Sequence, residues 1–285
     1  MRTYLDCYPC FLRQALDAAR FAGAGEEAQI QVIQETLALL QTLDPSSTPP
    51  VVGEAIHRAV RERVGHSDPY RGVKRIATEQ ALRLRAWIAV RIADAVDPFE
   101  EAVRIAVAGN IIDFGPSAVY DLERALAEVT ERPLAINDLG ALRRALTRAA
   151  SVLYIADNAG ETVFDRALIE ILDLDVTYAV KGAPVLNDAT LEDAQAAGLD
   201  SCATLLSTGS DAPGTILDRT SDEFRRAYEA AEVIVAKGQA NYETLSPGDP
   251  RIFFLLKAKC PVIARDLGVE PGGLIVKQGG SNLDA

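Results

Sequence analysis

From about residue 149 onward, short apolar runs rich in strand formers alternate with stretches of helical periodicity, and this alternation limits the fold more than any other feature of the chain. The strand candidates are Val152 to Ala156, Val176 to Val180, Ala203 to Leu206, Val233 to Ala236, Ile252 to Leu256, Pro261 to Ala264 and Leu274 to Val276. Helical patterns separate them, the first beginning near Glu161 with Val163, Phe164, Ala167, Leu168, Ile171 and Leu172 on one face. Others fall near Leu191 to Ala197 and Asp222 to Ala231. A strand returned to the same sheet edge by a helical crossover must lie parallel to its predecessor, so the pattern predicts an α/β unit with a largely parallel sheet.

Before residue 149 the periodicity is helical throughout. Runs at Phe11 to Ala22, Ala28 to Leu40, Val51 to Val64, Val73 to Ala95, Glu100 to Gly109, Val119 to Val129 and Leu139 to Ala149 are interrupted by Asp44-Pro45, Gly65 through Pro69, and Asp97-Pro98. Proline and glycine there stop one helix and start the next. The expected organisation is a helical region over residues 1–148 and an α/β core over residues 149–285.

Charge narrows the partners. Acids outnumber bases 41 to 29, for a net charge of −12. A field of that sign repels phosphate backbones, and no aromatics interleave with bases as stacking on single strands would require, so nucleic acid is not an expected partner. Handling a small phosphorylated molecule would need local screening, which a divalent cation provides. No segment approaches the roughly twenty apolar residues of a membrane-spanning helix. Arg2 and Asp6 precede no uninterrupted apolar stretch of a signal peptide. With few cysteines and no disulfide framework, the expected compartment is the reducing cytoplasm.

In an open parallel sheet, ligands bind beyond the C-terminal strand ends, so polar residues there carry the most weight. The first strand runs into Asp157-Asn158-Ala159-Gly160-Glu161. These residues suit a turn and helix cap, but Asp157 and Asn158 also offer the hard oxygens that Mg²⁺ or Mn²⁺ prefers, and Glu161 is placed to accept a proton or orient a water. The second strand ends at Lys181-Gly182-Ala183-Pro184-Val185-Leu186-Asn187-Asp188. Asp188 either caps the next helix or shares the sheet edge with Asp157, where two carboxylates would repel unless a cation or proton joined them. Lys181 would anchor the loop or a phosphate. The segment Ser207 to Thr215 exposes hydroxyls and backbone N–H groups, although it matches no P-loop. The fourth strand ends at Lys237-Gly238-Gln239-Ala240-Asn241-Tyr242. A lysine closing an apolar strand either snorkels to water or is compensated by an anion, and Gly238 allows close backbone approach. The missing D-x-D pattern favours attack by water over a phosphoenzyme.

In their order these segments, with Gly109-Asn110-Ile111-Ile112-Asp113-Phe114-Gly115 and the amino-terminal Cys7-x-x-Cys10, resemble the damage-control phosphatase family (ARMT1-like metal-binding domain, formerly a domain of unknown function), in its small microbial branch. The resemblance covers nearly the whole chain. It implies a three-layer α/β/α Rossmann-like, largely parallel sheet with an N-terminal helical region. It also implies hydrolysis of small phosphorylated metabolites, including sugar phosphates, with Mg²⁺ or Mn²⁺ foremost and Co²⁺ or Ni²⁺ as further choices. On that basis the metal ligands are Asp157, Asn158 and Asp188, the phosphate-contacting lysine is Lys237, and Glu161 and Asn241 are pocket residues. Asn110 and Asp113 either stitch the helices to the core or line the cleft. Gly65 through Lys74 would contribute to the substrate wall.

Cys7 and Cys10 lack the second pair that a zinc site would need. Two other functions stay in view. A nucleotide-using α/β enzyme is weakened by the absence of G-x-G-x-x-G after Ile155, and a noncatalytic metabolite-binding protein would use the acids only as caps. Homo-oligomerisation is left open.

Overall fold

The computed structural model describes residues 1–109, 119–245 and 248–280. The chain opens with helices α1 (Cys7–Phe21), α2 (Glu26–Gln41), α3 (Pro49–Val64), α4 (Arg71–Asp94) and α5 (Pro98–Ala108). Pro49 and Pro98 each occupy a first helical turn, where the missing N–H costs nothing and the fixed φ is already helical. Asp97 caps α5 by accepting from the Glu100 amide at 3.0 Å. Helices α1 to α3 close a small core of their own around Phe11, Ala15, Ala18, Val32, Ile56 and Val60. Helices α4 and α5 instead turn Leu84, Ile88, Val103, Ile105 and Val107 onto the sheet.

After α6 (Val119–Thr130) come β1 (Leu134–Asn137), α7 (Leu139–Arg148), β2 (Ser151–Ile155), α8 (Thr162–Ile169), β3 (Asp175–Val180), α9 (Leu191–Ala196) and β4 (Thr204–Ser207). Then follow α10 (Asp222–Ala230), β5 (Val233–Lys237), α11 (Gly238–Leu245), β6 (Ile252–Lys257), α12 (Pro261–Leu267) and β7 (Leu274–Gln278). Side chains alternate between the two faces of the sheet. Val152 and Tyr154 of β2 join the cluster under α4, α5 and α8, whereas Leu153 and Ile155 join Phe224, Tyr242 and Ile263 of α10 to α12 on the other side. The result is a three-layer α/β/α sandwich, with the α1–α3 bundle attached to it.

The strand order is β1-β7-β6-β5-β2-β3-β4, and among the described residues β6–β7 is the antiparallel pair. From β2 the chain steps outward to β3 and β4, then returns to lay β5 and β6 on the opposite flank. Strand order therefore reverses between β2 and β5. That reversal leaves a crevice at their C-terminal ends, because the connections leave in opposite directions.

Two local expectations change, and one feature adds to them. Pro261 to Ala264 opens helix α12 instead of forming a strand: Cys260 is an extended N-cap, Pro261 follows at the first turn, and Val262, Ile263 and Leu267 are buried at helical spacing. Leu134 to Asn137, inside a segment read as helical, pairs in parallel with β7. Finally, β7 runs against the direction of β6, which a short run of apolar residues does not announce. Among the described residues, no helix is long and apolar enough to cross a membrane.

Candidate functional site

The loops that follow β2 and β3 are sewn together by main chain. Ala159 N–H donates to Asn187 O at 2.9 Å, Ala189 N–H donates to Asp157 O at 2.8 Å, and Asn158 and Asp188 form an antiparallel bridge between them. These bonds put Asp157, Asn158 and Asp188 on one short ladder beyond the sheet, although 31 positions separate the two acids in sequence. Leu186 holds the far end of this loop in left-handed backbone (φ 49) and packs against the α1–α3 core. Gly182 has no room for a side chain, because a Cβ there would lie 2.5 Å from the Gly209 carbonyl carbon.

The β5 edge approaches from the other side of the crevice. Gly238 takes φ +78, and its bare Cα allows the Asp157 carboxylate to lie against the backbone. Asn241 ties the β2 and β5 ends together: its amide donates to Ala156 O at 3.1 Å and Lys237 O at 2.8 Å, while its oxygen accepts from Thr215 at 2.8 Å.

Lys237 is fully buried, and its ammonium donates to Glu161 Oε2 at 3.0 Å and Asp165 Oδ1 at 2.6 Å. Its charge is thus committed to two carboxylates. Glu161 in turn accepts from Asn158 Nδ2 at 2.6 Å, and the same nitrogen lies 3.2 Å from Asp157 Oδ2. Lys181 reaches the Gly214 carbonyl and stands 3.5 Å from Asp188 Oδ2.

Asp157, Glu161, Asp165 and Asp188 are all buried, as are Lys181 and Lys237. With all six ionised, four carboxylates against two ammoniums leave two negative charges in a poorly solvated place. The electrostatics register this excess. Burial, then Glu161 and Asp188, push the Asp157 carboxyl well above the usual carboxylate range, with Lys259 and Lys237 offsetting part of the rise. Burial raises Asp188 as well, eased by Lys181. Burial alone would push Lys237 down, yet Asp165 and Glu161 hold it above the ordinary lysine value.

The donor set suits a hard divalent cation. Asp188 Oδ2 is buried and accepts no hydrogen bond. The amide nitrogen of Asn158 is engaged, which leaves its oxygen to offer. Among the described residues, no three His, Cys, Asp or Glu side chains form a ready-made cage. An ion here would therefore rest on two carboxylates and an amide oxygen, completed by water, as Mg²⁺ and Mn²⁺ sites commonly are.

Two residues in this neighbourhood were not singled out from sequence. Asp165 sits one helical turn after Glu161, and the available signal was a pair of tyrosines, Tyr154 and Tyr178, inside otherwise apolar strands. Lys259 is exposed in the loop after β6, at the same sheet edge, and is among the charges acting on Asp157. The expectations for Asn110 and Asp113 lie outside the described residues. Lys74, expected in a substrate wall, is buried with its ammonium 2.9 Å from both Asp68 Oδ2 and Asp193 Oδ2. Cys7 is half-buried and Cys10 exposed, and both are free thiols.

Comparison with known proteins finds likeness along nearly the whole chain. The model of the damage-control phosphatase ARMT1-like domain matches residues 3–275. The damage-control phosphatase PH1575 of Pyrococcus horikoshii is 36% identical over 282 residues, covering 96% of this chain and 97% of that one. A damage-control phosphatase of Archaeoglobus fulgidus is 36% identical over 283 residues, covering 95% and 97%. The crystal structure of the DUF89 family protein from Pyrococcus horikoshii superposes with a TM-score of 0.90 at 36% identity, over 98% of this chain and 99% of that one.

Proposed function

The chain belongs to the damage-control phosphatase ARMT1-like family, and from that premise we propose that it hydrolyses small phosphorylated metabolites, sugar phosphates among them, with a divalent cation bound by Asp157, Asn158 and Asp188. Family membership supports a phosphatase-type hydrolase. The observation that carries the finer reading is the burial of four carboxyl groups against two lysines at the β2/β5 crevice, an excess of acid that one divalent cation would balance in ionised form. When bound, such an ion neutralises phosphoryl charge and lowers the pKa of a coordinated water. Mg²⁺ or Mn²⁺ is the first choice on the donor set, with Co²⁺ and Ni²⁺ as further candidates.

The remaining roles fall to the chain itself. Asp157 and Asp188 present the anionic oxygens, and the bare backbone at Gly238 keeps Asp157 in place. Glu161 takes the proton of the attacking water. Lys237, expected from sequence to contact phosphate, is instead fully buried on Glu161 and Asp165 and holds Glu161 from beneath, while the exposed ammonium of Lys259 offers positive charge to the phosphate oxygens. Lys181 and Asn241 fix the loops from which these groups project.

The test is phosphate release by the purified protein from a panel of phosphate esters that includes sugar phosphates. Release should stop with EDTA and return with Mg²⁺, Mn²⁺, Co²⁺ or Ni²⁺. No release from any ester with any of these ions would reject the proposal, and release that requires an added nucleotide would point to the nucleotide-using alternative.

A further inference from the structure

Beneath the metal-binding oxygens lies a buried hydrogen-bonded chain that ends on Asp165. Its carboxylate is completely enclosed. Oδ1 accepts from the Tyr154 hydroxyl at 2.8 Å and from Lys237 Nζ at 2.6 Å, and Oδ2 accepts from the Tyr178 hydroxyl at 2.7 Å. Tyr154 and Tyr178 are register partners on β2 and β3, with stacked rings 5.4 Å apart. Two hydroxyls delivered side by side from rigid strands fix the carboxylate plane, one on each oxygen. Lys237 then spans from Asp165 to Glu161 Oε2, and Glu161 Oε1 accepts from the amide nitrogen of Asn158.

We infer that Asp165 is a positioning residue for the metal site, setting the direction of the Asn158 amide oxygen through Lys237 and Glu161. This inference rests on the metal-dependent phosphatase reading above. A carboxylate placed only to neutralise Lys237 would not need both oxygens saturated by a pair of strand-borne hydroxyls. The Asn158 amide nitrogen reaches Glu161 Oε1 at 2.6 Å, and more loosely Asp157 Oδ2 at 3.2 Å, with its oxygen turned away, and Glu161 is held there by an ammonium that Asp165 holds in turn. Partners in the shell behind metal ligands typically contribute 10–100-fold to metal affinity or activity, because they fix the orientation of the ligands.

The experiment measures Mn²⁺ binding by the electron paramagnetic resonance of the free ion, alongside kcat, KM and thermal melting, for wild type and three variants. Tyr178→Phe keeps every charge and deletes one hydroxyl. It should weaken Mn²⁺ binding severalfold and lower kcat with KM unchanged. Asp165→Asn should weaken Mn²⁺ binding about tenfold or more. Asp165→Asn combined with Lys237→Met restores the original charge balance of the site while losing the geometry, and it should stay as impaired as Asp165→Asn. Recovery of Mn²⁺ affinity in that double variant would overturn the inference in favour of charge balance alone. It would also be overturned if Tyr178→Phe and Asp165→Asn lowered the melting temperature but left Mn²⁺ affinity and kcat of the folded protein within twofold of wild type. Should Asp165→Asn not fold, Tyr178→Phe alone decides. Wild-type protein that binds no Mn²⁺ would overturn this inference, and it would overturn the phosphatase reading too only if phosphate release also failed with all four ions, whereas wild-type binding with unaffected variants would overturn this inference alone.

Discussion

A Cβ built on Gly238 would lie 2.0 Å from Oδ2 of Asp157. The carboxylate closing the β2 edge thus occupies the volume that any side chain at the start of α11 would claim, and the two loops fit only because one of them is glycine.

Gly238→Ala should therefore disable the site with modest harm to the fold. The φ of +78 strains an L-residue, at a cost on the order of 1–3 kcal/mol, and the methyl must push Asp157 aside. A displacement near 1 Å is enough to cost about 100-fold in turnover. Steady-state assays and urea unfolding on the same preparation check both numbers. Wild-type kcat in a folded Gly238→Ala protein would show that Asp157 does not act from this position.

Asp157→Asn and Asp188→Asn should lose metal-dependent turnover while remaining folded, and they should be more heat-resistant than wild type when EDTA is present. The physical reason is that each removes one acid whose charged form is disfavoured by burial beside other carboxyl groups. Adding Mn²⁺ should raise the wild-type melting temperature, since an ion at a hundred times its Kd stabilises by about 2.7 kcal/mol, and the shift should shrink or vanish in both variants. Full turnover in both variants would remove these acids from the mechanism.

What the sequence made legible and what it hid follow from the range of each interaction. The strand–helix alternation and the polar residues after Ile155, Val180 and Ala236 are local features, and all three turns do meet around one crevice. Which lysine faces outward is not local. Lys237 reads as the closing residue of an apolar strand, but its surroundings depend on Asp165, 72 positions earlier. Asp165 itself looks like a polar residue in an amphipathic helix until Tyr154 and Tyr178 are brought into register beside it. The direction of β7 and the existence of β1 were equally hidden, because Leu134 to Asn137 acquires strand character only by pairing with a segment near the other end of the chain.

Acid should destabilise the protein through His57. This imidazole is buried, with Gln14 Oε1 at 3.4 Å, and burial followed by the charge of Arg61 depresses its pKa from the usual 6.5 to about 3. Between those values the unfolded chain binds a proton that the folded chain refuses. Stability is therefore intact above pH 6.5 and falls as pH drops, by about 1.4 kcal/mol per pH unit. His57→Gln should remove about 2 kcal/mol of the difference in unfolding free energy between pH 7 and pH 5. Urea titrations at the two values decide it: an unchanged pH dependence in the variant would mean that other groups carry the acid limb.

Lys74 joins the N-terminal helices to the α/β sandwich, and its loss should be felt globally. Its buried ammonium sits between Asp68, in the turn before α4, and Asp193, which also completes the capping box of α9 with Thr190. Lys74→Met keeps the length of the stem but leaves two carboxylates facing each other with no cation. Breaking a buried pair from one side typically costs 3–5 kcal/mol, because the remaining charge stays desolvated. Replacing Asp193 by Asn in the same background should return part of that loss, since it removes one of the two stranded charges. Urea unfolding of the single and double variants measures the coupling. If Lys74→Met cost less than about 1 kcal/mol, or the second substitution only added to the damage, the ion triad would not be what clamps α4 to α9.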